Sequence, residues 1–149
     1  MKKVAVLMGS ANDRAKMAPA LETLDSFGIE ATEHVMSAHR TPSVVAAFAA
    51  SARREGYGAI ICGAGMAAHL AGAVAGQTTL PVIGVPLSGG AIGGIDALYA
   101  TVQMPRGVPV ATVAIDGAAN AALLAVEMFA ITDADLEQRL TAYRAEWAK

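Results

Sequence analysis

The sequence predicts a three-layer α/β sandwich built on a central parallel sheet of about five strands. Three observations lead there. Short apolar runs rich in Val, Ile and Ala alternate with longer stretches whose apolar residues recur at helical spacing. Most of these runs are apolar throughout, as strands buried on both faces are. No internal repeat or long linker breaks the alternation, so residues 1–149 read as a single domain.

Val4 to Met8 is the first such run, followed by the turn Gly9-Ser10-Ala11-Asn12-Asp13. Met17, Ala20, Leu21, Leu24 and Phe27 then repeat at helical spacing, and Gly28 closes that helix as a C-cap. Residues 29–35 alternate and read as a half-buried second strand. A helix over 42–54 follows, with Thr41 as N-cap and Pro42 at the first position, where a missing amide hydrogen has no intrahelical partner. Residues 59–62 are a third strand, leading through Gly63-Ala64-Gly65 into a small-residue helix over 66–75. A fourth strand is expected at 81–85, a glycine-rich loop at 87–94 and a helix at 96–102. The fifth strand is expected at 108–115 and a very apolar helix at 118–130. The last helix begins at Thr132, with Asp133 and Asp135 in its first turn and a stripe of Leu136, Leu140, Tyr143 and Trp147.

Composition narrows the function classes. Hydrophobic residues make up 54% of the chain and charged residues 16%, against about 25% charged in ordinary soluble domains. So little charge leaves part of the surface to be covered by other copies, which implies a homo-oligomer with apolar interfaces. A membrane span is excluded, because the longest uncharged stretch, 56–95, is broken by Gly, Pro, His, Gln, Thr and Ser. The net charge is −2, aromatic residues are 5% and no basic stripe exists, so nucleic acid is not the partner. The single cysteine, Cys62, lies in an apolar run and reads as a buried strand residue in a reducing compartment. The apolar run after Lys2-Lys3 is too short for a signal peptide, so a cytoplasmic protein is expected.

Chemistry concentrates in loops at strand ends: 9–13, 37–43, 63–69 and 87–94. In open α/β sheets ligands bind at that end of the strands, and helix N-termini offer amide hydrogens to anions. Ser10, Ser37, Ser43 and Arg40 have the donors to hold a phosphate, and Asp13 has the acceptors for ribose hydroxyls. Gly63-Ala64-Gly65-Met66-Ala67-Ala68 matches a dinucleotide fingerprint in form, but no acidic residue follows about 20 positions later. There is no Walker A lysine motif and no nucleophile elbow. His34, His39 and His69 lack metal-ligand spacing, and His69, in a run of Ala and Leu, reads on its own as a core residue. His39 remains, on a polar turn, as the imidazole suited to proton transfer near neutrality.

Six segments in this order resemble a known family: Gly9-Ser10-x-x-Asp13, Ser37-Ala38-His39-Arg40-Thr41-Pro42, Gly63 to Leu70, Leu80 to Pro86, Val102-Gln103-Met104-Pro105 and Pro109-Val110-Ala111-Thr112. The chain resembles, over nearly its whole length, the N5-carboxyaminoimidazole ribonucleotide mutases of purine biosynthesis. The resemblance implies a flavodoxin-like three-layer fold, a homo-octamer and a ribonucleotide substrate. It also implies no metal, cofactor or ATP. The implied reaction moves a carboxyl group from the exocyclic nitrogen to C4 of aminoimidazole ribonucleotide by decarboxylation, recapture of carbon dioxide and removal of the C4 proton. In that reading His39 is the proton shuttle and His69 the second catalytic residue. Ser10, Asp13, Ser37, Arg40 and Ser43 hold the ribose phosphate. Gly65, Met66, Ala67, Ala68 and the Ser88 loop close over the base and the migrating carboxyl group.

Asn12, Arg14 and Gly93 depart from the residues usual in the family, and the 116–120 segment is shorter than in many members. A sister class that carboxylates the unmodified ribonucleotide typically lacks Ala67-Ala68-His69-Leu70, so this segment points to the mutase. Two alternatives come from other classes: a flavin mononucleotide-binding module on the same fold, and a purely structural oligomer.

Overall fold

In the computed structural model, which describes residues 3–148, five parallel strands form one sheet in the order β2-β1-β3-β4-β5. The strands are β1 (Lys3–Met8), β2 (Glu30–Val35), β3 (Tyr57–Gly65), β4 (Val82–Leu87) and β5 (Ala111–Thr112). Six helices connect and follow them: α1 (Arg14–Ser26), α2 (Pro42–Ala52), α3 (Leu70–Ala75), α4 (Ile95–Val102), α5 (Ala118–Ala130) and α6 (Ala134–Ala145). This is the three-layer, flavodoxin-like architecture, with its switch point between β1 and β3. Lys2, part of the leader-like start considered above, lies outside the described residues.

The strand period of two divides the apolar residues of β1 between two cores. Val4, Val6 and Met8 face α1, α5 and α6, where Met17, Leu24, Ala121, Ala125 and Leu136 meet them. Ala5 and Leu7 face α2 and α3, where Val45, Ala49, Leu70 and Val74 meet them. The helices approach the sheet closely because strand residues facing them are small. A Cβ on Gly84 would lie 2.3 Å from Thr101 Cγ2, and one on Gly63 2.3 Å from Met17 Sδ.

The expected elements form, and their boundaries shift for local reasons. Gly28 ends the first helix in the left-handed region at φ +66, and α6 reinforces that end. Arg139 donates to the Phe27 carbonyl at 2.8 Å and to that of Ser26 at 2.7 Å. The fifth strand, expected over 108–115, is reduced to Ala111–Thr112. Pro109 has no amide to give, and beyond Thr112 only single bonds tie the chain to β4: Val113 to the Gly84 carbonyl and Asp116 to that of Pro86.

The helix expected from 66 starts only at Leu70, because Met66 adopts φ +51 and residues 66–69 form a turn. The last helix is capped by Asp133 rather than Thr132: Asp133 Oδ1 accepts from the amides of Asp135 and Leu136 at 3.0 and 3.1 Å. Along the α6 stripe, Leu136 and Leu140 are buried in the same subunit and Tyr143 packs edge-on to Phe27, while Trp147 is 78% exposed. No helix among the described residues is long and apolar enough to cross a membrane.

Candidate functional site

Strands β1, β2 and β3 end side by side, and the segments after them line an open cavity of about 380 Å³ at the switch point. From the first loop Ser10, Asn12 and Asp13 line it. From the second come Ser37, Ala38, His39 and Arg40, and from the end of β3 through the start of α3 come Ala64, Gly65, Met66, Ala67, His69 and Leu70. The register explains the convergence: Met8 pairs with Val35 on one side and Gly63 on the other, so β1 and β2 end together and β3 runs two residues past them before its loop begins.

Two of these loops are held by their own hydroxyls. Ser37 Oγ accepts from the amides of His39 (3.3 Å) and Arg40 (3.1 Å). Thr41, the residue before α2, turns back instead of capping the helix: its Oγ1 accepts from the Ser37 amide at 2.9 Å and donates to the Ser37 carbonyl at 3.1 Å. In the first loop Ser10 Oγ accepts from the Asn12 amide at 3.2 Å. Both serines use their oxygens as acceptors and keep their O–H for donation into the cavity, which is what an anion requires. Arg40 adds an exposed guanidinium with no protein partner among the described residues.

The two imidazoles meet. His39 Nε2 lies 2.7 Å from His69 Nδ1, with ring centroids 4.9 Å apart and planes at 82°. One nitrogen must carry the hydrogen and the other the lone pair, so the contact is a ready path for one proton. Both rings are exposed, and His69 is therefore no core residue. At the other end of the cavity, burial raises the Asp13 carboxyl above the ordinary aspartate value, opposed by the Ser10 amide and the Lys16 ammonium.

Three expected site residues stand elsewhere. Ser43 is exposed in the first turn of α2, outside the cavity lining. Ala68 is 1% exposed and is not part of the cavity lining. Ser88 lies after β4 and binds Lys16 and Asp116. Ala38, Ala64 and Leu70 add apolar walls beyond the expected site residues, although Ala38 and Leu70 flank His39 and His69 directly.

His34 is remote from the cavity: its Nε2 is 2.9 Å from Thr32 Oγ1, its ring leans on Phe48, and burial lowers its pKa. Cys62 is buried in β3, and burial pushes its thiol far above the ordinary value. Among the described residues no group of three His, Cys, Asp or Glu side chains is placed to hold a metal ion.

Known proteins resemble the chain over nearly its whole length. The model of the AIR carboxylase family matches residues 3–149. The N5-carboxyaminoimidazole ribonucleotide mutase of Escherichia coli K12 is 50% identical over 144 residues, covering 95% of this chain and 85% of that protein. The protein of the same name from Saccharolobus solfataricus is 52% identical over 140 residues, covering 94% of this chain and 89% of its own. Among solved structures, Treponema denticola PurE superposes with a TM-score of 0.87 at 30% identity, covering 98% of this chain and 91% of that one.

Proposed function

Because the chain belongs to the AIR carboxylase family, its activity is that of the N5-carboxyaminoimidazole ribonucleotide mutases of purine biosynthesis, and we propose that it carries this out through the His39–His69 pair. The observation that carries the proposal is the placement of a proton-sharing imidazole pair and a set of anion donors on one cavity. Its volume, about 380 Å³, falls within the range of small-molecule sites.

The ribose phosphate accepts hydrogen bonds from the hydroxyls of Ser10 and Ser37 and from the fork of Arg40, with Asp13 accepting from the ribose hydroxyls. The base then reaches the third loop. There the carbamate carbon–nitrogen bond breaks, its electron pair stays on nitrogen, and the nitrogen takes a proton. The carbon dioxide released is attacked by C4, whose new carbon–carbon bond leaves one hydrogen too many on that carbon. His39 removes it. Protons balance within the site, since the one the nitrogen gains equals the one C4 loses. One imidazole can therefore shuttle it, with His69 fixing the ring and its tautomer. Ala38, Ala64, Ala67 and Leu70 give the carbon dioxide an apolar wall, which keeps it from water while it changes position.

The test supplies purified protein with the N-carboxylated ribonucleotide, without ATP or added metal, and follows the C4-carboxylated product by ultraviolet absorbance. Rapid conversion that depends little on bicarbonate is the expected result. Turnover of only the unmodified ribonucleotide with carbon dioxide would move the chain to direct carboxylation, and a yellow protein without turnover to flavin binding.

We further propose a cytoplasmic homo-octamer in which residues 1–149 act as one catalytic domain. The support for assembly is an apolar stripe left open on one subunit: Ile95, Tyr99 and Val102 on α4 are 45%, 61% and 46% exposed, continuous with Ile92 at 57%. Sedimentation velocity should give a single species of about eight subunit masses that Tyr99→Glu breaks down, because a carboxylate cannot be buried there unpaired. A monomer in the wild type would refute the assembly.

A further inference from the structure

Ser88, at the root of the glycine-rich loop, is gripped from two sides. Lys16 Nζ, on α1, donates to the Ser88 carbonyl and, at 2.9 Å, to its Oγ. The Ser88 amide donates to Asp116 Oδ1 at 2.8 Å, just before α5. Asp116 is held at φ +58, one of two non-glycine residues with positive φ among those described. The other is Met66, on the cavity wall.

Past Ser88 the chain turns through glycines and packs back on its own root at Gly94, where a Cβ would lie 3.0 Å from Ser88 Cα. Gly89, Gly90, Gly93 and Gly94 all have positive φ, and a Cβ on Gly89 or Gly93 would meet nothing within 4 Å. Gly90 instead rests on the wall: a Cβ there would lie 3.1 Å from Met66 Cγ. Met66 is 60% exposed, so its position depends on what leans on it. A fixed root at Ser88, a glycine at 89 and a contact to the substrate wall at Gly90 follow one another along three residues.

We propose that Lys16 and Asp116 are positioning residues for the carboxyl transfer: through Ser88 they fix the root of the 89–94 span and so hold Met66 against the substrate. The proposal rests on the mutase reading. Neither residue lines the cavity, so neither handles the migrating proton or carboxyl group. Their contribution is order present before substrate arrives. Without the clip, substrate binding must itself immobilise a glycine-rich span, and that cost falls on affinity rather than on the chemical step. The charges suit the task. Hydrogen bonds from Ser88, with Lys16 nearby, outweigh burial and keep the Asp116 carboxyl below its ordinary value.

Steady-state kinetics on Lys16→Met and Asp116→Ala, with hydrogen exchange on the unliganded proteins, tests this. KM for the N-carboxylated ribonucleotide should rise about tenfold in each variant, with kcat within about threefold of wild type. Amides of residues 88–94 should exchange at least ~10 times faster, while those of α5 stay protected. Lys16→Arg keeps the donors and Asp116→Asn keeps the acceptor, so both should restore most of the affinity. An unchanged KM in Lys16→Met and Asp116→Ala, a loss confined to kcat, or unchanged exchange at 88–94 would each overturn the positioning role. An inactive wild type in the same assay would overturn the mutase reading itself, a different result from active wild type with unaffected variants.

Discussion

His39→Asn lowers kcat at least ~10²-fold, equivalent to about 2.7 kcal/mol of transition-state stabilisation, while KM and the melting curve stay close to wild type. The size follows from the reaction's proton balance. C4 becomes tetrahedral when it captures carbon dioxide, and the product forms only when its hydrogen leaves. Asn can fill the volume and offer a hydrogen bond to His69 Nδ1, but it has no nitrogen that takes and returns a proton at neutral pH. The fold is indifferent because the turn is held by Ser37 and Thr41, whose bonds run to backbone atoms rather than to the imidazole. Single-turnover measurement separates the chemical step from product release. Full turnover in the variant would transfer the shuttle from His39 to His69.

Arg40→Ala raises KM for the ribonucleotide by roughly 10–100-fold, the range expected when a charged hydrogen-bond partner worth about 1.5–3 kcal/mol is removed. Two companion measurements identify the phosphate as the lost contact. The wild-type KM should climb with ionic strength, and that dependence should weaken in the variant. Arg40→Lys should recover only part of the affinity, because an ammonium supplies the charge without the planar fork that meets two phosphate oxygens. A KM equal to wild type at low salt would remove Arg40 from the phosphate site.

Much of this was legible in the residues before any coordinates. Val4 to Met8, apolar without interruption, marks an inner strand buried on both faces, and α5 occupies the 118–130 range that its spacing indicates. Glycines and hydroxyl residues at strand ends marked the loops that converge on the cavity. Contacts between distant segments were not legible. Nothing in Ala-Ala-His-Leu says that His69 faces His39 from the neighbouring loop, since that depends on β1 lying between β2 and β3. Nothing marks Lys16 among other helical residues as the partner of Ser88, which is 72 positions away. Boundaries failed where backbone geometry overrode side-chain pattern. Pro109 shortens β5, and the positive φ of Met66 delays α3, leaving as a displayed turn what the apolar content alone would make helix.

The pairing of Val4 with Ala59 has a consequence for how the protein is made. A ribosome releases β1 first, then β2, and the two are close enough in sequence to pair early. Yet β1 is flanked by β3 on its other edge, so its second row of hydrogen bonds waits for a strand synthesised much later. Loop closure over such distances is slow, and parallel sheets are correspondingly late to form. The first two loops of the cavity therefore emerge without their opposing wall, and a nascent chain that ends before His69 carries the proposed phosphate donors but not the imidazole pair. On the proposed site, substrate binding waits for the third strand to dock, so ligand affinity would report the joining of β1, β2 and β3 rather than of any one segment.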